Sequence, residues 1–205
     1  MTLQKQISAP IAPLRDALLP TALDPVAMEA IASLGGASAS DEEALGGPGR
    51  EELDIDDIFS RHFSDPLEDF VADLIANGDA PKALTPERLR SSPAALSTEL
   101  LASGTDAETG NRYEIRAVGT DVIALCDDGE ALSIAGLYHG CQLTVFSNHE
   151  GRGLGTALAA WKFLFYGGFP CWDLDEASYS HGGLAAHRSA YDALAGIFER
   201  QADSA

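Results

Sequence analysis

The chain has 205 residues, 45% of them hydrophobic and 22% charged, the composition of a globular protein with one substantial core and not of a disordered or membrane-embedded one. Its 32 acidic against 13 basic residues give a formal charge of −19, a field that repels phosphate backbones, so no nucleic-acid partner is expected. No apolar run approaches a bilayer span and the opening MTLQKQISAPIAPLRDALLP lacks the basic-then-apolar order of a secretion signal, so the expectation is a cytoplasmic protein without a membrane partner.

The first hundred residues read as interrupted helices. In DPVAMEAIASLGG, Asp24 is an N-cap, Pro25 opens the helix and Gly35 stops it. Residues 35–54 are rich in Gly, Ser and acid with little to bury, which predicts a flexible loop. Beyond it, Ile55, Ile58, Phe59 and Phe63, then Leu67, Phe70, Val71, Leu74 and Ile75, recur at helical spacing on either side of Asp65-Pro66. TPERLRSSPAALSTELLASG continues in the same manner, with Thr85 as N-cap, Pro86 at the first position, a break around Pro93 and Gly104 near the end. Residues 1–105 are therefore expected to be a mainly helical region, and 106–205 a second unit.

From Asn111 the period changes from 3.6 to 2. RYEIRAV alternates, DVIALC and ALSIAGLY are joined through an Asp-Gly turn signal at Asp128-Gly129, and CQLTVFS follows His139-Gly140. Residues 153–165 read as a helix, FPCWDL as a further strand and residues 183–200 as a last amphipathic helix. The order predicts an α/β layer structure of α+β type, a mixed and mostly antiparallel sheet with packed helices. Cys126, Cys141 and Cys171 are odd in number and lie in apolar runs, which points to reduced thiols and to no metal site.

Chemistry concentrates at NHEGRGLGTALAAWKFL, where Gly151, Gly153 and Gly155 lead a strand into a helix. Free N–H groups and the positive dipole end meet there, the glycines let an anion touch the main chain, and Arg152 adds donors. The spacing fits neither a Walker loop nor a dinucleotide fold, so another phosphate-bearing ligand is indicated.

LTVFSNHEGRGLGTAL resembles the acyl-CoA signature of the GNAT superfamily of N-acyltransferases, with Leu143 and Val145 at the apolar strand positions, residues 151–155 as the pyrophosphate turn and Thr156-Ala157-Leu158 at the helix start. Glu150 stands where that family usually has Arg or Gln. GGLAAHRSAYDALAGIF is similar to its last helix, Ala186 taking the place of the small residue and Tyr191 that of the tyrosine, so the likeness spans about residues 111–200. It implies a GNAT-like fold and transfer of an acyl group, acetyl first among them, from acetyl-CoA or another acyl-CoA to an amine on a small molecule or on a protein lysine or N-terminus. It also implies that Val145, Phe146, Gly151, Arg152, Gly153, Leu154, Gly155 and Thr156 hold the CoA, that a backbone N–H near Val145 or Phe146 meets the oxyanion, and that Tyr191 protonates the thiolate. The base stays open among Glu114, Glu130, His139 and a water relay, and a homodimer is compatible with the pattern. The alternative is a catalytically inactive GNAT-like module that senses acyl-CoA or docks a protein.

Overall fold

A computed structural model describes residues 13–36, 65–93, 96–166 and 180–204. The elements in chain order are α1 (Leu14–Leu18), α2 (Pro25–Gly36), α3 (Pro66–Asn77), α4 (Pro86–Ser91), β1 (Glu99–Thr105), β2 (Arg112–Val118), β3 (Asp121–Asp127), β4 (Leu132–His139), β5 (Gln142–Val145), α5 (Leu154–Tyr166) and α6 (His181–Ala202). The five strands form one sheet in the order β1-β2-β3-β4-β5, each pair antiparallel. The fold is thus α+β, as the switch of period indicates. Of the predicted loop at 35–54, residues 35 and 36 close α2 instead, and residues 37–54 lie outside the described residues, as do the predicted helix around residues 55–63 and the FPCWDL strand.

Helix starts follow the capping chemistry of their sequences. The Asp24 carboxylate accepts from Ala27 N–H at 2.8 Å, Asp65 caps α3 through Leu67 N–H, and Thr85 Oγ1 caps α4 through Arg88 N–H, each just ahead of a proline. The Asp-Gly turn also forms, with Gly129 at φ 88 and the Asp127 and Asp128 carboxylates accepting from N–H groups of Gly129, Glu130 and Ala131.

One expectation is overturned. ELLASGT, read as helical, is strand β1, paired with β2 from Glu99↔Ala117 to Thr105↔Arg112. Its Leu, Ala and Glu favour a helix locally, but pairing satisfies the edge of β2, and α1 packs on it. At Gly104 an added Cβ would stand 3.0 Å from Ala17 Cβ and Leu14 Cδ1, so the strand needs glycine for α1 to approach.

The sheet is covered on both faces. Val122, Ala124, Cys126, Ala135 and Tyr138 face a core shared with α1, α2, α5 and α6. Ile123, Leu125, Ile134 and Leu137 face the other way, onto Leu67, Phe70, Val71 and Leu74 of α3 and Leu89 of α4. Alternation along β3 and β4 is therefore apolar on both sides. Side chains tie the N-terminal segment to the last two helices: Trp161 Nε1 donates to Leu18 O at 2.8 Å, and Gln201 bonds both the N–H and the C=O of Leu23. Helices 14–36 and strands 99–145 accordingly share one core.

The cysteines depart from the expected all-thiol state. Cys126 is a buried free thiol, whereas Cys141, in the β4–β5 turn, is disulfide-bonded. No described helix is long and apolar enough to cross a membrane.

Candidate functional site

At the end of β5, Phe146 N–H donates to Ala135 O at 3.0 Å and extends the pairing by one residue, after which Ser147–His149 makes a single 3-10 turn. Gly151 and Gly153 both take left-handed φ, 76° and 79°, which turns the chain into α5. The helix begins with Ala157 N–H bonded to Gly153 O, so the N–H groups of Leu154, Gly155 and Thr156 have no acceptor inside their own helix. Helix α6 starts alongside, capped by Ser180 Oγ accepting from Gly183 N–H at 3.1 Å. Gly155 permits the approach: a Cβ there would lie 3.2 Å from Ala186 Cβ.

Between these parts is a cavity of about 540 Å³. Its walls are Leu143, Thr144 and Val145 of β5, His149, Glu150, Gly151 and Gly153 of the turn, the first residues of α5, the cap Ser180, and Gly182, Gly183, Ala185, Ala186 and Ser189 of α6. Two positive helix ends and a wall of mostly small side chains make it suited to an anion that touches main chain.

Of the residues expected at the site, Val145, Gly151, Gly153, Leu154, Gly155 and Thr156 line this cavity; Phe146, Arg152 and Tyr191 do not. Phe146 lines a smaller cavity of about 230 Å³ with Arg90, Ser133 and His149. Its N–H is taken by Ala135, whereas Val145 sits opposite Gly136 at a non-bonded position of the ladder, so its N–H points away from β4, to the side of β5 that no described strand pairs with. Arg152 is committed elsewhere: Nε donates to Asp106 at 3.1 Å and Nη1 to the carbonyls of Asn148 and Glu150. The Asp106 carboxyl is held below its usual range, first by the Glu108 N–H, with Thr109 and Arg152 adding to it. Glu150 does line the cavity.

Tyr191 lies roughly 170° around α6 from the stripe of Gly182, Ala185, Ala186 and Ser189, at about 100° per residue. It packs, partly buried, against the hydrophobic core. Tyr191→Phe is therefore expected to change any turnover by less than about twofold, while Tyr191→Ala lowers the melting temperature. Rates and thermal melts of both variants check this, and a drop of about 10²-fold in the Phe variant would return the hydroxyl to the mechanism. None of the groups considered as base lines the cavity. Glu114 is paired with Arg112 and Arg116, His139 with Asp121 and Asp73, and Glu130 is in the exposed β3–β4 turn.

The residue that the sequence does not single out is His149. It lines both cavities, and its Nδ1 lies 3.1 Å from the hydroxyl of fully buried Tyr113. Burial, and then the charge of Arg152, hold the imidazole below its ordinary pKa; burial, and then Cys126, push Tyr113 up to about 12. A second histidine supports the wall. His187 Nδ1 donates to Gly183 O at 2.7 Å, which leaves Nε2 to accept from Tyr138 OH at 2.8 Å, and burial lowers its pKa. The start of α6 is thus fixed to β4 from beneath.

Comparison with known proteins finds no matching family model, no matching curated protein and no matching solved structure.

Proposed function

We propose that the chain is an N-acyltransferase of GNAT type that binds acyl-CoA in the larger cavity and passes the acyl group, acetyl first among them, to an amine. The observation that carries this reading is the shape of that cavity: an edge strand, a double-glycine turn and two helix starts converge on one space of about 540 Å³. Its size is in the range of small-molecule pockets. The helix starts suit a diphosphate, and the side of β5 left unpaired among the described residues suits an extended arm that carries amides of its own. The outward N–H of Val145 is the donor on that side for an oxyanion as the amine adds to the thioester carbonyl.

Calorimetry with acetyl-CoA and CoA tests binding, and release of free thiol with a panel of amines tests transfer. Saturable binding with amine-dependent thiol release is expected; no binding of either ligand refutes the proposal. Binding without release over the whole panel favours the second reading, an acyl-CoA-sensing module. That Tyr191, the expected acid, does not line the cavity favours that alternative.

A further inference from the structure

The larger cavity contains a charge problem. Glu150 lines it, and Arg152, the cation of the turn, faces Asp106 and two carbonyls instead. An oligophosphate placed there meets a carboxylate, and among the described residues it is answered by main-chain dipoles and the hydroxyls of Thr144, Thr156, Ser180 and Ser189 but by no full positive charge. Among the described lining residues, His149 can change this balance, because it can gain a proton.

We propose that His149 is the anion-reading side chain of the cavity, in the role expected of Arg152, and that an oligophosphate bound there draws a proton onto its imidazole. The inference deepens the acyl-CoA reading and rests on it only for the identity of the phosphate carrier.

The geometry supports both protonation states. Tyr113 OH is 3.1 Å from Nδ1 and, as a hydroxyl, can donate or accept. With the ring neutral, Tyr113 donates to Nδ1 and the proton sits on Nε2. When a proton arrives from solvent at Nδ1, the hydroxyl rotates to accept it, and Nε2–H still donates to the ligand. Tyr113 thereby holds the ring in one orientation throughout, and its own raised pKa keeps the hydroxyl protonated.

The charges around the ring set the sign. On its own turn are Arg152, which opposes protonation, and Glu150; Asp106, before β2, is paired with Arg152. From α4, Arg90 lines the smaller cavity with His149 and is paired with Asp65; from β3, Cys126 lies beside Tyr113. Burial and Arg152 keep the ring neutral in the free protein near pH 7, and a bound phosphate supplies the opposing negative charge. The bound state then has the higher imidazole pKa, so affinity rises as pH falls through the histidine range.

Calorimetry on the full chain at pH 6, 7 and 8, with inorganic pyrophosphate and with CoA, and in buffers of different ionisation enthalpy, tests this. The wild type is expected to bind roughly tenfold more tightly at pH 6 than at pH 8, beyond the change that His149→Gln shows from titration of the ligand itself. Its binding heat should depend on the buffer in the sense of proton uptake, and that dependence should vanish in His149→Gln. Tyr113→Phe should weaken binding at every pH, with its melting temperature reporting any loss of fold. If CoA binds His149→Gln with wild-type affinity and pH dependence, the inference falls and the acyl-CoA reading stands. If pyrophosphate binds through His149 and CoA does not, the inference stands and the acyl-CoA reading falls. Binding of neither ligand overturns both.

Discussion

Asp121→Ala is expected to cost about 3–5 kcal/mol of folding stability, the range for removing a carboxylate partner from a buried charge. The Lys162 side chain is 2% exposed in the middle of α5, and its ammonium donates to Asp121 Oδ1 and Thr120 O, both at 2.7 Å, while lying 5.7 Å from the Tyr138 ring centre. The other carboxylate oxygen bonds His139 Nδ1 at 2.8 Å, and His139 Nε2 reaches Asp73 of α3 at 3.3 Å. Asp121 therefore joins the helices on the two faces of the sheet through its first β3 position. Without it, a buried ammonium loses the carboxylate 2.7 Å away, and the link to α3 is lost. Lys162→Met combined with Asp121→Ala should cost less than the sum of the single changes, because the two groups interact directly and the double change removes both ends of that ion pair. Urea melts of the singles and the double measure this, and a loss below about 1 kcal/mol in Asp121→Ala would refute it.

The same residues predict a two-sided pH profile. Burial pushes the Asp121 carboxyl up, but hydrogen bonds from His139 and Lys162, with their charges, outweigh it and hold the group below 3.8. A depressed acid contributes stability that is present above its unfolded pKa and lost as pH falls through the folded one. For His139 the hydrogen bond to Asp121 comes first; burial opposes it, the charges of Asp121 and Asp73 add to it, and the imidazole is raised above 6.5. That contribution is full below 6.5 and lost as pH rises through the folded value. His139→Gln should flatten the alkaline limb and shrink the acid limb without abolishing it, because Lys162 still holds Asp121 down, whereas Asp121→Ala should flatten both.

Local chemistry accounts for what could be read directly. Asp24-Pro25, Asp65-Pro66 and Thr85-Pro86 start helices because their capping oxygens and fixed φ act within four residues. Strands β2 to β5 were visible in their alternation and turn residues. Strand β1 was not, since nothing in ELLASGT records that Arg112–Val118 will lie beside it. The glycine turn shows the same boundary. Its three glycines were conspicuous, but what each admits depends on distant chain: Gly153 faces the stem of Arg15, Gly155 faces Ala186, and Gly151 has open space. Arg152 looked available because its partner Asp106 lies 46 residues away, and His149 looked ordinary because Tyr113 lies 36 residues away.

Those glycine environments decide which substitution tests the cavity cleanly. Gly153→Val does not: the residue has φ 79°, and its Cβ would stand 2.6 Å from Arg15 Cβ, so the variant loses stability whether or not a ligand binds there. Gly182 is different. It lines the cavity in the first turn of α6, has no left-handed φ, and a Cβ built on it meets nothing within 4 Å among the described residues. Glycine in a helix costs roughly 0.5–1 kcal/mol relative to alanine, so Gly182→Ala should leave the melting temperature unchanged or raise it. Gly182→Leu adds a branched side chain beside the open space without backbone strain, and its expected effects run in opposite directions. The unliganded protein should melt no lower than wild type, while CoA affinity falls by at least about tenfold and the CoA-induced rise in melting temperature shrinks accordingly. A helix start that serves only packing gives another pattern, with ligand response and melting temperature both unaltered. If Gly182→Leu binds CoA as tightly as the wild type does, the ligand lies elsewhere and the cavity loses its assignment.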